Sequence, residues 1–174
     1  KGLTDIVTET SVGVECKSTE YPLLTHVRKD HITEIPVEKR SSIKRNVGIQ
    51  MLNDEESVVS FLIESSQGGR CCCWIRNTVK DARDGFQKVQ NALIKINLSP
   101  DQVDLFHARF VMGNRLEIEE RVLGNFGKYG TNRRGKILIS TQVVEQSLDL
   151  DFDEMVTDLA PMDLIIQRAG RLHR

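Results

Sequence analysis

The densest chemistry in the sequence lies in Gln167-Arg168-Ala169-Gly170-Arg171-Leu172-His173-Arg174. On a helix, Arg171 and Arg174 stand three apart and point to the same side. Two planar guanidinium forks converging on one place suit a polyanion, and suit a nucleoside triphosphate better than a single carboxylate. Gly170 just before them lets another backbone or a ligand come close. On charge alone a second reading stays open, in which these arginines pair with the acidic stretch before them. A further set of polar residues follows apolar runs: Arg76, Asn77 and Thr78; His107, Ala108 and Arg109; Thr141 and Gln142. Compact hydrogen-bonding side chains at such positions suit contacts to a phosphodiester backbone. Taken singly, Thr78 is equally a helix cap and Thr141 a strand-end hydroxyl.

These groups converge only if the elements between them place them together. Residues 1–23 show no clear periodicity and read as an irregular lead-in or linker, with a domain over 24–174. From Leu24 to Leu52 the pattern predicts strands. Ile43, Val47, Ile49 and Met51 alternate with Lys44, Asn46 and Gln50, as an edge strand with one wet face would, and Pro36 marks an edge or a strand end. Beyond Leu52 strands and helices alternate, the pattern of a parallel sheet covered by helices. Asn53 and Glu56 form a capping box before a helix with Val58, Val59, Leu62 and Ile63 on one face, closed by Gly68 and Gly69. Cys71 to Ile75 is a continuous apolar run, as in a strand buried on both faces. Thr78 and Asp81 start a helix with Ala82, Phe86, Val89 and Leu93 as its stripe. Val103 to Phe106 is a strand, and Leu116, Ile118, Val122, Leu123 and Phe126 form the buried stripe of the next helix. Gly130 and Gly135 bracket a turn before the strand Lys136 to Ser140. Phe152 to Leu159 is the last strand, and Pro161 sits in the first turn of a helix running to the end of the chain. The expected fold is α/β, a mostly parallel sheet with helices on both faces and ligands beyond the carboxyl ends of its strands.

Composition fits one ordinary domain: 174 residues, 39 % hydrophobic, with a formal net charge of -1. Bulk charge therefore argues for neither nucleic acid nor membrane surface, and no apolar run reaches the roughly 18 to 20 residues of a membrane span. The chain has no signal-peptide pattern and reads as cytoplasmic. Cys16 stands alone and Cys71, Cys72 and Cys73 are consecutive, without the paired spacing of a zinc site or a disulfide framework, so no metal site is expected. The low net charge is a cancellation of blocks. Between His107 and Lys136 lie seven Arg or Lys and three Glu, whereas Ile137 to Gln167 holds seven acids and no Lys or Arg. Lys1 is not a Met, and Arg174 ends a basic segment with no cap after it, so the chain reads as a fragment of something larger.

Gln167 to Arg174 resembles the sixth motif of superfamily 2 helicases, and the run from Ser140 to Asp151 resembles their fifth. The wording of that run, with Phe152-Asp153 after it and Asp158-Leu159-Ala160-Pro161 before the last helix, is similar to the CRISPR-associated helicase-nuclease of type I systems. The stretches Trp74 to Val79 and Leu105 to Phe110 resemble that family's fourth-motif region and the strand after it. Ser147 stands where other helicases carry a glycine, as in the CRISPR-linked variant. The resemblance implies a second, C-terminal RecA-like lobe of a two-lobed motor. Arg171 and Arg174 would be arginine fingers, Gln167 and Asp149 would face ATP, and Asn77, Thr78, Thr141 and, as a helper, Arg109 would hold nucleic acid. It further implies ATP with Mg²⁺ in the full-length protein, and as partners the first RecA-like lobe, a nuclease domain, single-stranded DNA and the CRISPR RNA-guided surveillance complex. A helicase lobe acting on RNA or in DNA repair, and a RecA-like docking module without catalysis, are the alternatives.

The sequence contains no Gly-x-x-x-x-Gly-Lys-Ser/Thr phosphate loop, no Asp-Glu-x-His box and no paired-His nuclease motif. The purified chain is therefore expected to bind no nucleotide stably and to hydrolyse none. ATP turnover by this chain that disappears in Arg171→Ala would overturn that expectation.

Overall fold

The computed structural model describes residues 17–20, 22–28, 31–38, 46–109, 112–145 and 148–173. The chain divides into two compact units, Lys1–Gly48 and Ile49–Arg174. In the first, β1 (Leu23–Arg28) and β2 (His31–Pro36) form an antiparallel hairpin with Leu23 opposite Pro36 and Arg28 opposite His31. Pro36 closes its strand, as a residue without an N–H should.

The second unit carries α1 (Glu55–Gln67), β3 (Cys72–Ile75), α2 (Val79–Lys95), β4 (Val103–Phe106), α3 (Met112–Phe126), β5 (Ile137–Ser140), β6 (Glu154–Thr157) and α4 (Met162–Ala169). The four strands form one sheet in the order β4-β5-β3-β6, and every pairing is parallel. Strand alternation divides the interior in two. Cys72, Trp74, Ile137 and Ile139 face Val58 and Leu62 of α1 and Ala82, Val89 and Leu93 of α2. Cys71, Cys73, Ile75, Phe106 and Leu138 face Ile118, Val122 and Phe126 of α3 and also Val144, Leu148, Leu150 and Phe152 of the β5–β6 connection.

The placement of the connections follows from handedness. β3 to β4 moves one way along the sheet; β4 to β5 and β5 to β6 move the other way. Crossovers of one hand must then put α2 on one face, and α3 with the β5–β6 connection on the opposite face. Helices thus cover both faces, as the alternation of apolar runs predicts. β3 and β5 are neighbours whose outgoing connections leave on opposite faces, so the crevice at their carboxyl ends is the topological switch point.

Several expectations need correction. The alternation at Val47, Ile49 and Met51 makes no strand: residues 46–53 carry no ladder, and Ile49 and Met51 are 86 % and 69 % exposed. Alternating side chains do not make a strand where no neighbouring backbone offers hydrogen bonds. Ile43 and Lys44 lie outside the described residues. The cap of α1 is Asp54, not Asn53; its carboxylate accepts from the Ser57 N–H at 2.7 Å, which lowers its pKa. On α3, Ile118, Val122 and Phe126 are buried but Leu116 and Leu123 are exposed, because at 100° per residue a four-residue spacing holds one face and those two leave it. The last helix stops at Ala169, where the Gly170 N–H bonds the Ile166 carbonyl at 3.0 Å, and Pro161 is its N-cap.

Cys71, Cys72 and Cys73 are free and buried. Burial pushes the Cys71 and Cys72 thiols up to about 11 and about 12, so near neutrality they are small apolar side chains. Cys16 lies outside the described residues.

Gly85 of α2 supports the sheet closely, since a Cβ there would stand 3.1 Å from Cζ3 of Trp74. Gly85→Leu is expected to lose about 1–2 kcal/mol net, overpacking outweighing the gain in helix propensity. A lower denaturant midpoint at unchanged slope, followed by the fluorescence of Trp74, checks it.

Candidate functional site

The residues expected to hold nucleic acid gather at the carboxyl ends of the strands. Arg76, Asn77 and Thr78 follow β3, His107 and Arg109 follow β4, and Thr141 follows β5. With strands about 4.8 Å apart, the ends of β4 and β3 lie roughly 10 Å from each other. Asn77 and Thr141 flank the switch point, where Gln142 Nε2 donates to the Asn77 carbonyl at 3.2 Å. The amide of Asn77 is partly engaged already, Nδ2 donating to the Leu159 carbonyl at 3.0 Å. Thr78 is the N-cap of α2: its hydroxyl accepts from the Asp81 N–H at 3.1 Å and donates to the Asp81 carboxylate at 2.6 Å. Thr141 is 4 % exposed, whereas Arg109 is exposed. The Arg109 N–H donates to Nδ1 of His107 at 3.2 Å. Burial, with the charges of Arg83 and Arg109, lowers the pKa of His107 and favours its neutral form.

Arg76 anchors this end. Its side chain is 10 % exposed. Nη2 donates to Glu55 at 2.7 Å and Nε to Asp158 at 3.1 Å, and its guanidinium lies 4.4 Å from the Trp74 ring centroid. Oδ2 of Asp158 also accepts the Asn77 N–H at 3.0 Å. One carboxylate thus ties the end of β6 to both residues after β3. Lys88 and Arg76 together hold the Glu55 carboxyl below its ordinary pKa.

Of the residues expected to face nucleotide, Asp149 and the backbone of Arg171 lie beside the segment that leads into the amino end of β6. Residues 149–153 lead into the start of β6, with Leu150 bridged to Gly127 and Phe152 to Leu172. Asp149 borders a groove of about 420 Å³ shared with Leu123, Gly124, Lys128 and Tyr129. Gln167 is exposed in the last turn of α4. Because α4 ends at Ala169, Arg171 is not held in helical phase with residue 174. Instead its Nη2 donates to the Glu145 carbonyl at 2.9 Å and its Nη1 to the Leu148 carbonyl. Arg174 and Ser147 lie outside the described residues.

Arg168 has the most buried charge at the site. It is 1 % exposed; Nε pairs with Glu145 at 2.7 Å, and Nη1 reaches the Thr157 hydroxyl and, at 3.4 Å, the Asp158 carbonyl. This bridge joins the acid stretch to Arg168, a residue outside the pairing weighed for Arg171 and Arg174.

Residues 68–174 match the family described as CRISPR-associated nuclease/helicase Cas3, C-terminal. The chain belongs to that family. It is 46 % identical over 118 residues to the CRISPR-associated endonuclease/helicase Cas3 of Escherichia coli (strain K12), a match covering 68 % of this chain and 13 % of that protein. The crystal structure of T. fusca Cas3-ATP superposes with a TM-score of 0.74 at 30 % identity, covering 91 % of this chain and 20 % of that one. A chain in the structure of a CRISPR RNA-guided surveillance complex, pre-nicking, matches with a TM-score of 0.53 at 37 % identity, over 68 % of this chain and 14 % of that one. The chain therefore spans about an eighth of the E. coli relative and a fifth of the T. fusca chain. Its fold is that of the RecA-like Cas3 neighbours.

By donor chemistry alone, the residues expected to face nucleotide suit phosphate oxygens and hydroxyls. The guanidinium of Arg171 and the amide of Gln167 offer N–H groups to phosphate oxygens, and Asp149 offers an acceptor to hydroxyls. Among the described residues no group of three or more His, Cys, Asp or Glu is placed to hold a metal ion, and no helix is long and apolar enough to cross a membrane. Sequence reasoning passed over Asp158 and Arg168 as site residues and grouped Arg76 with side chains suited to phosphate, whereas its guanidinium is engaged by Glu55 and Asp158. The available signal was the acid-only stretch beside arginines, which requires ion pairs once both are packed into one core.

Asp158→Ala removes the acceptor shared by Arg76 and the Asn77 N–H. A loss of about 1–3 kcal/mol is expected, since Arg76 keeps Glu55 but loses half its pairing. Thermal or denaturant unfolding checks it, and a change within about 0.5 kcal/mol, the spread of neutral surface substitutions, would show the bracket to be dispensable.

Proposed function

We propose that this chain is the second motor lobe of an ATP-dependent single-stranded DNA translocase and helicase acting in CRISPR interference in the cytoplasm. The observation that carries the reading is the segregation of the two residue sets. Asn77, Thr78, Arg109 and Thr141 lie at the carboxyl ends of one parallel sheet, while Asp149 and Arg171 lie beside the strand that re-enters it from the other end. Two ligands can thus be engaged at once without sharing a surface. The name of the T. fusca Cas3-ATP structure supports nucleotide as one of them, and the surveillance-complex match supports that complex as a partner of the parent protein.

On this reading the lobe occupies residues 24–174, with 1–23 as lead-in; the 91 % coverage in the T. fusca match supports including the hairpin. The first RecA-like lobe and a nuclease domain of the parent chain complete the protein. The first lobe supplies the phosphate loop and the Mg²⁺ site, and this chain supplies the opposite wall. Arg171 and Arg174 stabilise charge developing on the γ-phosphate, Gln167 orients at the phosphate or its attacking water, and Asp149 binds on the nucleoside side. The Asn77-Thr78 turn, at the amino end of α2, and Thr141 hold the strand through its phosphodiester backbone, with Arg109 adding an exposed cation. Such contacts make binding tolerant of base sequence and sensitive to salt.

In the full-length parent protein, Arg171→Ala and Arg174→Ala are each expected to lower ATPase activity stimulated by single-stranded DNA by about 10³-fold or more. Retained activity in both would favour a docking module, and stimulation by RNA in place of DNA would favour another superfamily 2 helicase.

A further inference from the structure

Two buried arginines lie between the nucleic-acid end and the nucleotide end, and their contacts form an unbroken polar chain. At one end the Asn77 N–H donates to Oδ2 of Asp158 at 3.0 Å. The carbonyl of the same Asp158 accepts from Nη1 of Arg168 at 3.4 Å, and Nε of Arg168 pairs with Glu145 at 2.7 Å. The carbonyl of Glu145 in turn accepts from Nη2 of Arg171 at 2.9 Å. No step of this chain crosses a gap wider than a hydrogen bond. Its middle member is also its most buried: the side chains of Arg168 and Glu145 are 1 % and 7 % exposed.

Arg168 is ill suited to being merely a structural charge. It is desolvated, and its Nη2 is buried without a hydrogen-bond partner, as is Nη1 of Arg76 at the other side of Asp158. A buried guanidinium with one group unpaired costs stability that an apolar side chain of like volume would not. Both unpaired groups flank the same residue, Asp158. Each leaves its arginine a spare donor, so contacts around Asp158 and Thr157 can be exchanged without stranding a charge. Arg168 also joins three separate segments: α4, the turn after β5, and the end of β6.

We infer that Arg168 is the positioning residue through which nucleotide contact at Arg171 alters the loop geometry at Asn77, by way of Glu145 and Asp158. The inference rests on the proposed two-ligand reading and adds to it the residue that couples the ligands. Coupling of this kind is a ratio of affinities, not a property of either site alone. A shared physical path becomes more than adjacency only when that ratio responds to its removal.

The test uses the full-length parent protein, a labelled oligothymidylate and a non-hydrolysable ATP analogue. In the parent, the analogue is expected to change the oligonucleotide Kd by about 5- to 150-fold. The decisive variant is the double replacement Glu145→Leu with Arg168→Met, which removes the pair together. A buried ion pair replaced by apolar residues of like volume is commonly tolerated, whereas Arg168→Met alone would strand Glu145. The backbone carbonyls that hold Arg171 remain. The expected result is a folded protein, with Tm near that of the parent and nucleotide-free Kd within about threefold, in which the effect of the analogue falls to about twofold or less.

A folded double variant that keeps the parental factor overturns the inference. So does one in which Tm falls and both affinities weaken alike with their ratio intact, the signature of a structural role only. Should the double variant not fold, Arg168→Lys decides. Its single ammonium can pair with Glu145 but cannot span Thr157 and Asp158 as well, so a coupling factor reduced at least about threefold supports the inference and an unchanged one overturns it. If the parent itself shows no effect of the analogue, and Arg171→Ala and Arg174→Ala keep full ATPase, the proposed function fails and takes the inference with it. If those arginines are essential and the parental factor is present, failure of the double variant counts against Arg168 alone.

Discussion

Arg168 carries a charge that the protein interior cannot leave unsolvated, and much of the β5–β6 region is arranged around that requirement. Once α4 packs against the sheet, the guanidinium needs acceptors from whatever segments lie within reach. Glu145 supplies a carboxylate from the turn after β5, while Thr157 and Asp158 supply oxygens from the end of β6. The same requirement acts again at Arg76, which draws in Glu55 and the Asp158 carboxylate while lying against Trp74. Asp158 serves both arginines, through its side chain for one and its carbonyl for the other. The connection between β5 and β6 is therefore fixed by polar contacts as much as by its apolar side chains. Packing of Val144, Leu148, Leu150 and Phe152 holds it on the sheet, and the arginines decide the path of its backbone.

Strand polarity does the rest of the positioning. In a parallel sheet every loop after a strand opens at one end and every loop before a strand opens at the other. Four-residue strands separate those ends by only about 13 Å. That distance is short enough for a few side chains to span and long enough to keep two anionic ligands apart. The reversal of direction between β3→β4 and β5→β6 opens the crevice that Asn77 and Thr141 border. The handedness rule that puts α2 and α3 on opposite faces also puts the Glu145–Asp149 loop on the face from which α4 returns. The encounter of Arg171 with Glu145 and Leu148 thus follows from topology before it follows from local chemistry.

Elements with strong, two-sided burial were legible in the sequence. The run Cys71 to Ile75 reads directly as a central strand, and Thr78 reads directly as a cap. Exposed alternation was not legible: Val47, Ile49 and Met51 carry the pattern of a strand without a neighbour to pair with, and pairing is non-local. Leu116 and Leu123 show the matching limit for helices, since composition places them with the apolar stripe and only the angular phase of the packed face excludes them. At the site, residue types at 167–174 suggested an arginine motif for phosphate, but the argument from helical phase failed at Gly170, where the helix has already ended at Ala169. A glycine can cap or continue a helix, and the outcome depended on the bridge of Leu172 to Phe152, a contact across 20 residues. The polar network was the least legible part. Ion pairs such as Arg76 with Glu55 and Arg168 with Glu145 join residues 21 and 23 positions apart, and no local pattern encodes which acid meets which base.

The present engagement of Arg171 bears on how an arginine of this kind can act. Two hydrogen bonds from a charged donor to backbone carbonyls contribute about 1.5–3 kcal/mol each. The rate factor of 10³ to 10⁵ associated with an arginine finger corresponds to roughly 4–7 kcal/mol of transition-state stabilisation. A guanidinium that gave up the Glu145 and Leu148 carbonyls for phosphate oxygens would have to recover that ground-state contribution from the phosphate before any rate gain remained. The neighbouring arginines hold the same loop by different contacts: Arg168 pairs with the Glu145 carboxylate, while Arg171 donates to the Glu145 and Leu148 carbonyls.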